Sequence, residues 1–232
     1  MTNIKDKQVK DRLAMVRGEI ARHAQEFGRD ANEIQLVAVS KTRPAADVAS
    51  AFEAGQVDFG ENYLQEAGPK IGALEDLGIR WHFIGRIQSN KTRELASRFD
   101  WVQTVDRERV ATRLNAQRPE NLPPLNICLQ VNADREAQKA GLDPDHVPAL
   151  ARKVARMQRL RLRGLMAIPA ASDDFEAQRQ AFLRVRKLYD QLRADGLELD
   201  TLSIGMSGDL RAAVAAGSTM VRVGTAIFGP RG

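Results

Sequence analysis

The sequence predicts an α/β fold, a single (β/α)8 TIM barrel with one extra N-terminal helix, on three observations. Short apolar runs alternate about eight times with amphipathic segments of helical spacing, as in a parallel sheet whose crossovers are helices. The first run, Leu36 to Val39, is apolar at consecutive positions, which suits a strand buried on both faces. No Pro/Gly/Ser-rich linker, composition shift or low-complexity tract divides the 232 residues, a length that such barrels reach as one domain. A doubly wound open sheet shares the alternation and is the competing architecture.

Taken in order, Ile4 to Phe27 places Val9, Leu13, Val16, Ile20 and Phe27 near helical spacing among charges and stops at Gly28, an amphipathic helix with its end signal. Residues 1–30 are therefore expected to pack outside the barrel, within a single domain of residues 1–232. Strands are expected at 36–40, 57–60, 81–85, 101–105, 125–132, 162–168, 201–204 and 220–224, with helices at 45–54, 63–77, 89–97, 107–117, 144–157, 175–195 and 208–216.

Composition excludes several classes. The 35 Lys and Arg against 30 Asp and Glu give a net charge of +5, but the basic residues are interleaved with acids. Only 152–163 is locally enriched, with few aromatics for base stacking, so the excess reads as a solvated face rather than a nucleic-acid site. Cys128 is the only cysteine; it rules out an intramolecular disulfide and, within an apolar run, reads as an inert buried thiol. No signal-peptide core and no run of membrane-spanning length is present, so a cytoplasmic protein without membrane contact is expected.

Barrels of this kind carry their sites at the carboxyl ends of the strands. Lys41 ends the first apolar run, and strand alternation puts it on one face with Val37 and Val39. If that face is the interior, the ammonium is partly desolvated, its pKa falls, and a neutral amine becomes available to a carbonyl ligand. The competing reading is a solvated lysine at a strand end. The loops after strands 7 and 8, where phosphate often binds, read Ser203-Ile-Gly-Met-Ser207-Gly208-Asp209 and Val221-Arg222-Val-Gly224-Thr225. Ser207 offers a hydroxyl just before a helix, Gly224 a close backbone approach, and Thr225 a further N–H and hydroxyl. A plain N-cap and a tight turn would explain each stretch alone; their occurrence at both strands favours an anion. His82, by itself, reads as a hydrogen-bonded structural residue. The face formed by Asn126, Cys128, Gln130 and Asn132 is either solvated or lines a polar barrel mouth.

Several motifs then agree in order and spacing. Val39-Ser-Lys41-Thr, Phe59-Gly-Glu-Asn-Tyr63, Trp81-His-Phe-Ile-Gly85 with Gln88-Ser-Asn-Lys91, Arg163-Gly-Leu-Met166 with Ile168-Pro169, Gly205-Met-Ser207 with Asp209, and 218–229 from Ser218 to Gly229 resemble the pyridoxal 5′-phosphate homeostasis protein family. The resemblance runs from about residue 4 to the end. It implies a barrel similar to the N-terminal domain of alanine racemase that holds pyridoxal phosphate (PLP) as a Schiff base on Lys41. It implies a phosphate cradle at Ser207, Gly224 and Thr225, and Arg222 facing the pyridine nitrogen. A guanidinium only donates hydrogen bonds, so it keeps that nitrogen unprotonated and the ring a weak electron sink. Asn62 and His82 would lie beside the ring or its 3-hydroxyl, with Met166 and Met206 packed nearby. Arg86 and the pair Gln138-Lys139 depart from the common pattern of the family.

Three functions compete. A racemase-like enzyme needs a second proton-transfer group opposite Lys41; in alanine racemases that is a tyrosine from a partner's C-terminal domain, which is not expected here, and Tyr63 reads as a packing residue. A vitamin B6 carrier needs only the reversible linkage, the cradle and an open mouth. A Schiff-base aldolase would take sugar phosphates instead. The expectation is a monomeric carrier, without catalytic residue or metal, whose partners are PLP and the apoenzymes that receive it.

Overall fold

The computed structural model describes residues 4–136 and 138–230. Eight strands, β1 (Gln35–Val39), β2 (Asp58–Glu61), β3 (Arg80–Phe83), β4 (Trp101–Val105), β5 (Leu125–Val131), β6 (Leu160–Ala167), β7 (Thr201–Ser203) and β8 (Met220–Val223), follow one another around a closed barrel. Every pairing is parallel, and β8 closes on β1 with Arg222 opposite Val37. Closure excludes the open sheet.

The crossovers are α2 (Ala45–Glu53), α3 (Leu64–Ala73), α4 (Thr92–Arg98), α5 (Glu108–Gln117), α6 (Val147–Val154), α7 (Phe175–Ala194) and α8 (Leu210–Ala215). They are preceded by α1 (Ile4–Glu26) and followed by α9 (Thr225–Phe228). Two expected helices begin as 3-10 turns instead, at Ser89–Lys91 and Pro144–His146. In the second case Pro148 has no N–H to give to an earlier turn, so the regular helix starts at Val147, where Pro148 falls in the first turn and costs nothing. Four residues are too few to show a period, which is why α9 escapes a sequence reading.

Helix α1 buries Val9, Leu13, Val16, Ile20 and Ala24, a stripe at three- and four-residue spacing, against α2, α8 and α9. Arg17 pins it to the α2–β2 loop through the carbonyls of Ala54 and Gly55, at 3.1 and 2.8 Å. Gly28, at φ +65°, ends the segment in a left-handed conformation. The expected outer helix is therefore present, and it clamps the first and last crossovers together.

The chain builds two chemically different cores. Between sheet and helices lies a continuous apolar layer that includes Leu36, Ala38, Phe59, Leu129, Leu165 and Leu202. Among the described residues, the second apolar cluster, inside the barrel, is Val37, Trp101, Cys128, Met166 and Met220, and it shares the space with buried Asp58, His82, Gln103, Ser203 and Arg222. An eight-stranded barrel has just room for its own side chains, so polar groups placed there must satisfy one another.

Candidate functional site

Lys41 does not lie on the strand. Ladder geometry ends at Val39, and Ser40 to Arg43 form a β-turn closed by the Arg43 N–H on the Ser40 carbonyl at 3.1 Å. Lys41 occupies the first corner, half-buried, and Thr42 the second at φ +63°. A β-branched residue rarely adopts that left-handed region, so surrounding contacts must impose it. On the α3 side, Glu66 accepts the Thr42 N–H at 2.9 Å and Lys70 Nζ donates to the Ser40 carbonyl at 2.8 Å. Glu61 accepts the Ser40 hydroxyl at 2.7 Å and pairs with Lys70 at 2.5 Å, both fully inside the protein. Burial pushes the Glu61 carboxyl up, against the pull of Lys70 and Ser40. On the opposite side, Arg43 donates to the carbonyls of Gly229 and Pro230 at 2.5 and 2.7 Å.

That second tie brings the end of β8 to Lys41. Val39, Lys41, Thr42, Arg43, Gly224 and Thr225 line one small cavity. A Cβ on Gly224 would stand 3.1 Å from the Val39 carbonyl and 3.3 Å from the Val39 Cβ, so glycine is what allows the two strand ends to approach. Thr225 opens α9 and is exposed.

The β7–α8 loop carries Met206 and Ser207, both exposed. Asp209 shapes it: its carboxylate accepts the Met206 N–H at 2.5 Å, and its own N–H reaches the Met206 carbonyl at 3.3 Å. Arg222 joins this loop to the barrel interior. Its backbone N–H donates to the Gly205 carbonyl at 3.0 Å. Its side chain donates to the Ser203 carbonyl and hydroxyl, both at 2.7 Å, and to the Ala167 carbonyl at 3.1 Å. Burial brings the guanidinium down to about 10, with Asp209 opposing, which still leaves it charged at neutral pH.

The structure thus gathers Lys41, Gly224 and Thr225 in one cavity and stands Ser207 and Met206 at the same end of the barrel. Asn62, the first residue after β2, lines a different cleft with Tyr63, Phe83, Arg86 and Lys91. Its Oδ1 is buried and accepts no hydrogen bond among the described residues. His82 has another place than the one its motif suggested. It is fully buried, stacked on Trp101 with centroids 5.2 Å apart, and both ring nitrogens are engaged, by Asp58 at 3.0 Å and Gln103 at 2.9 Å. No ring nitrogen is left over for a ligand. Met166 likewise belongs to the interior cluster. Cys128 is buried there, and desolvation pushes its thiol up to about 12, consistent with an inert role. The face of Asn126, Gln130 and Asn132 proves to be half-buried to buried: Asn126 bonds the Asp100 carbonyl at 3.0 Å and receives Arg163 at 2.9 Å.

Sequence reasoning missed Glu61, Glu66 and Lys70 as the frame of the Lys41 turn, and Gln103 and Ser203 as partners of His82 and Arg222. For Gln103 a signal existed: a glutamine two residues after Trp101, on one face of an otherwise buried strand, must meet a polar partner. Lys70 gave none, because a lysine in an amphipathic helix reads as solvated.

Residues 17–232 match the family model described as alanine racemase, N-terminal domain. The pyridoxal phosphate homeostasis protein of Pseudomonas aeruginosa is 54% identical over 223 residues, covering 96% of each chain. That of Escherichia coli K12 is 51% identical over 222 residues, covering 94% of this chain and 95% of the other. Among solved structures, PipY of Synechococcus elongatus PCC7942 with PLP bound superposes with a TM-score of 0.83 at 37% identity, over 96% of this chain and all of the other.

Proposed function

The chain belongs to the pyridoxal phosphate homeostasis protein family, and from that premise we propose that it binds PLP through a Schiff base on Lys41 and serves PLP homeostasis without catalytic turnover. The observation that carries this reading is the single cavity in which the strand-1 turn presents Lys41 beside Gly224 and Thr225.

The residues fit the group. The Lys41 amine would hold it covalently, and Ser207, Gly224 and Thr225 would take its phosphate. Arg222 can only donate, and so suits an unprotonated ring nitrogen. The orphaned Asn62 Oδ1 is an acceptor matched to the 3-hydroxyl. When bound, the group supplies an aldehyde that condenses reversibly with an amine. The chain's part is to keep Lys41 in its strained turn, keep a positive charge at Arg222, and leave the mouth open for exchange. Met206 would pack near the ring, whereas His82 supports the site from within.

Two observations disfavour turnover. Tyr189, on α7, spends its hydroxyl on the Leu199 carbonyl at 3.0 Å, and Tyr63 stands 54% exposed, where water competes for its hydroxyl. The carrier would act as a monomer in the cytoplasm and hand its ligand to apoenzymes.

An absorbance spectrum of the PLP-loaded protein before and after borohydride, with peptide mapping, tests the linkage. The modification is expected on the Lys41 peptide and absent from Lys41→Ala. Robust amino-acid racemisation that vanishes in Lys41→Ala would replace the carrier reading with the racemase-like one.

A further inference from the structure

One chain of hydrogen bonds runs through the barrel interior from its amino end to Arg222. Arg80 grips the Asp58 carboxylate with two bonds, at 2.8 and 2.7 Å. Asp58 Oδ1 meets His82 Nε2 at 3.0 Å, His82 Nδ1 meets Gln103 Nε2 at 2.9 Å, and Gln103 Oε1 meets the Ser203 hydroxyl at 2.6 Å. The Ser203 hydroxyl in turn receives Arg222 Nη1 at 2.7 Å. His82, Gln103 and Ser203 are wholly buried, and Asp58 and Arg222 nearly so.

These bonds admit one self-consistent order of protons. Arg222 only donates, so the Ser203 oxygen accepts from it and must send its single hydrogen to Gln103 Oε1. That fixes the amide, with its NH2 toward His82 Nδ1 and Met220 Sδ, the latter at 3.2 Å. A nitrogen facing a donor must accept, so the imidazole proton sits on Nε2 and points at Asp58. A second proton on His82 would set N–H against N–H. Turning the Gln103 amide to relieve that clash would take away the acceptor of the Ser203 hydroxyl, and the disorder would arrive at Arg222. Burial lowers the basicity of His82; Asp58 and Asp100 oppose, and Arg80 adds to the lowering. The Arg163 guanidinium lies 4.6 Å from the centroid of Trp101, the ring on which His82 stacks, so a cation already packs on that aromatic.

We propose that Gln103 and Ser203 are positioning residues, and that through them a singly protonated His82, bonded to the Asp58 carboxylate, sets the orientation of the Arg222 guanidinium. The inference rests on the reading of Arg222 as a PLP contact. The property tuned at the mouth, the hydrogen-bond donor presented to the cofactor ring, is thus determined from the far end of the barrel by side chains that never touch the ligand.

The full chain tests this in two states. In the unloaded protein, long-range 1H–15N correlation is expected to show His82 only in its Nε2–H form from about pH 5 to 8, the range in which an ordinary imidazole titrates. In Gln103→Glu, which keeps the side-chain shape but accepts from both neighbours, His82 is expected to hold two protons. A wild-type His82 that titrates in that range, or a Gln103→Glu spectrum unchanged from wild type, overturns the proton order. In the PLP-loaded protein, Ser203→Ala and Gln103→Leu are expected to shift the pH midpoint of the visible absorbance and weaken retention about tenfold, the scale of one lost bond to a charged group. Ser203→Cys, which restores a donor and acceptor, is expected to recover part of both. Variants that melt like wild type and keep its midpoint and retention would overturn the coupling while leaving the function intact. A wild-type protein that takes up no PLP would overturn the function, and the unloaded spectra would still decide the proton order.

Discussion

The two ends of the barrel use charge in opposite ways. At the amino end, Arg80 closes on Asp58 at 2.7 Å and Arg163 on Asp200 at 2.7 Å. Trp101 carries both the Arg163 guanidinium, at 4.6 Å, and the stacked His82 ring. This end is a plug, in which these charges answer one another and a buried indole packs beside them. At the carboxyl end, Met206, Ser207, Gly208, Thr225 and Ala226 are exposed, and charged groups are spent on fixing loops. Glu61, Glu66 and Lys70 hold the Lys41 turn, Arg43 ties it to Gly229 and Pro230, and Asp209 shapes the loop after β7. The contrast teaches that in a parallel barrel the same residue types stabilise where they only pair with each other and shape a site where they also tie backbone, as Lys70, Arg43 and Asp209 do.

The sharpest way to break that division is at Lys41. Lys41→Ala is expected to abolish borohydride-trappable PLP entirely while leaving denaturant stability within about 0.5 kcal/mol, as for other changes outside the packed core. If it unfolded the protein, mouth and plug would not be separable. The mirror experiment is Trp101→Ala. Removal of a 4%-exposed indole is expected to cost about 3–5 kcal/mol in urea unfolding, the usual range for a large aromatic truncated in a core. The fraction still folded should still be trapped on Lys41 by borohydride, because Glu61, Glu66, Lys70 and Arg43 hold that turn, while its PLP retention should weaken with loss of the ring on which His82 stacks.

A smaller effect sharpens the comparison at the mouth. Gly224→Val presses a branched Cβ on the Val39 carbonyl and is expected to cost about 1–3 kcal/mol by overpacking, and to weaken PLP retention by about tenfold or more. Isothermal titration and melting read the two effects separately. The smallest concerns acid. Burial pushes the Asp58 carboxyl up, but the bonds from Arg80 and His82 outweigh it and hold it below the usual carboxylate range. A depressed folded pKa means stability that is full above the unfolded value of about 4 and is lost as pH falls through the folded one. Asp58 should therefore contribute about 1–2 kcal/mol to the acid limb, measurable as a shallower pH dependence of stability in Asp58→Asn below about pH 4.

Much of this could be read from the chain. The strands fall within two residues of their expected bounds because a buried parallel strand must be a short apolar run; the helices are present because each must show an apolar stripe, but α3, α4 and α6 are shorter than expected by three or four residues at one end or both. Lys41, Gly224 and Thr225 could be chosen because strand-end chemistry in a barrel is local: a lysine after one run, a glycine after another. His82 shows the limit. Its side chain is wholly buried between Asp58 and Gln103, and whether an imidazole meets a ligand or a carboxylate depends on which residues of β2 and β4 stand beside it.

By itself, then, the sequence determined the alternation and the residues able to do chemistry at the carboxyl ends, since periodicity and turn chemistry act over a few residues, whereas closure of the sheet, which excludes the open alternative, came from the tertiary structure. Only the tertiary structure decided that Thr42 is forced into a left-handed turn to aim Lys41. Only there do Asp58, His82, Gln103, Ser203 and Arg222, drawn from β2, β3, β4, β7 and β8, form one directed chain. Hydrogen-bond direction is a property of pairs in space, and residues up to 100 positions apart in the chain acquire it only when the barrel closes.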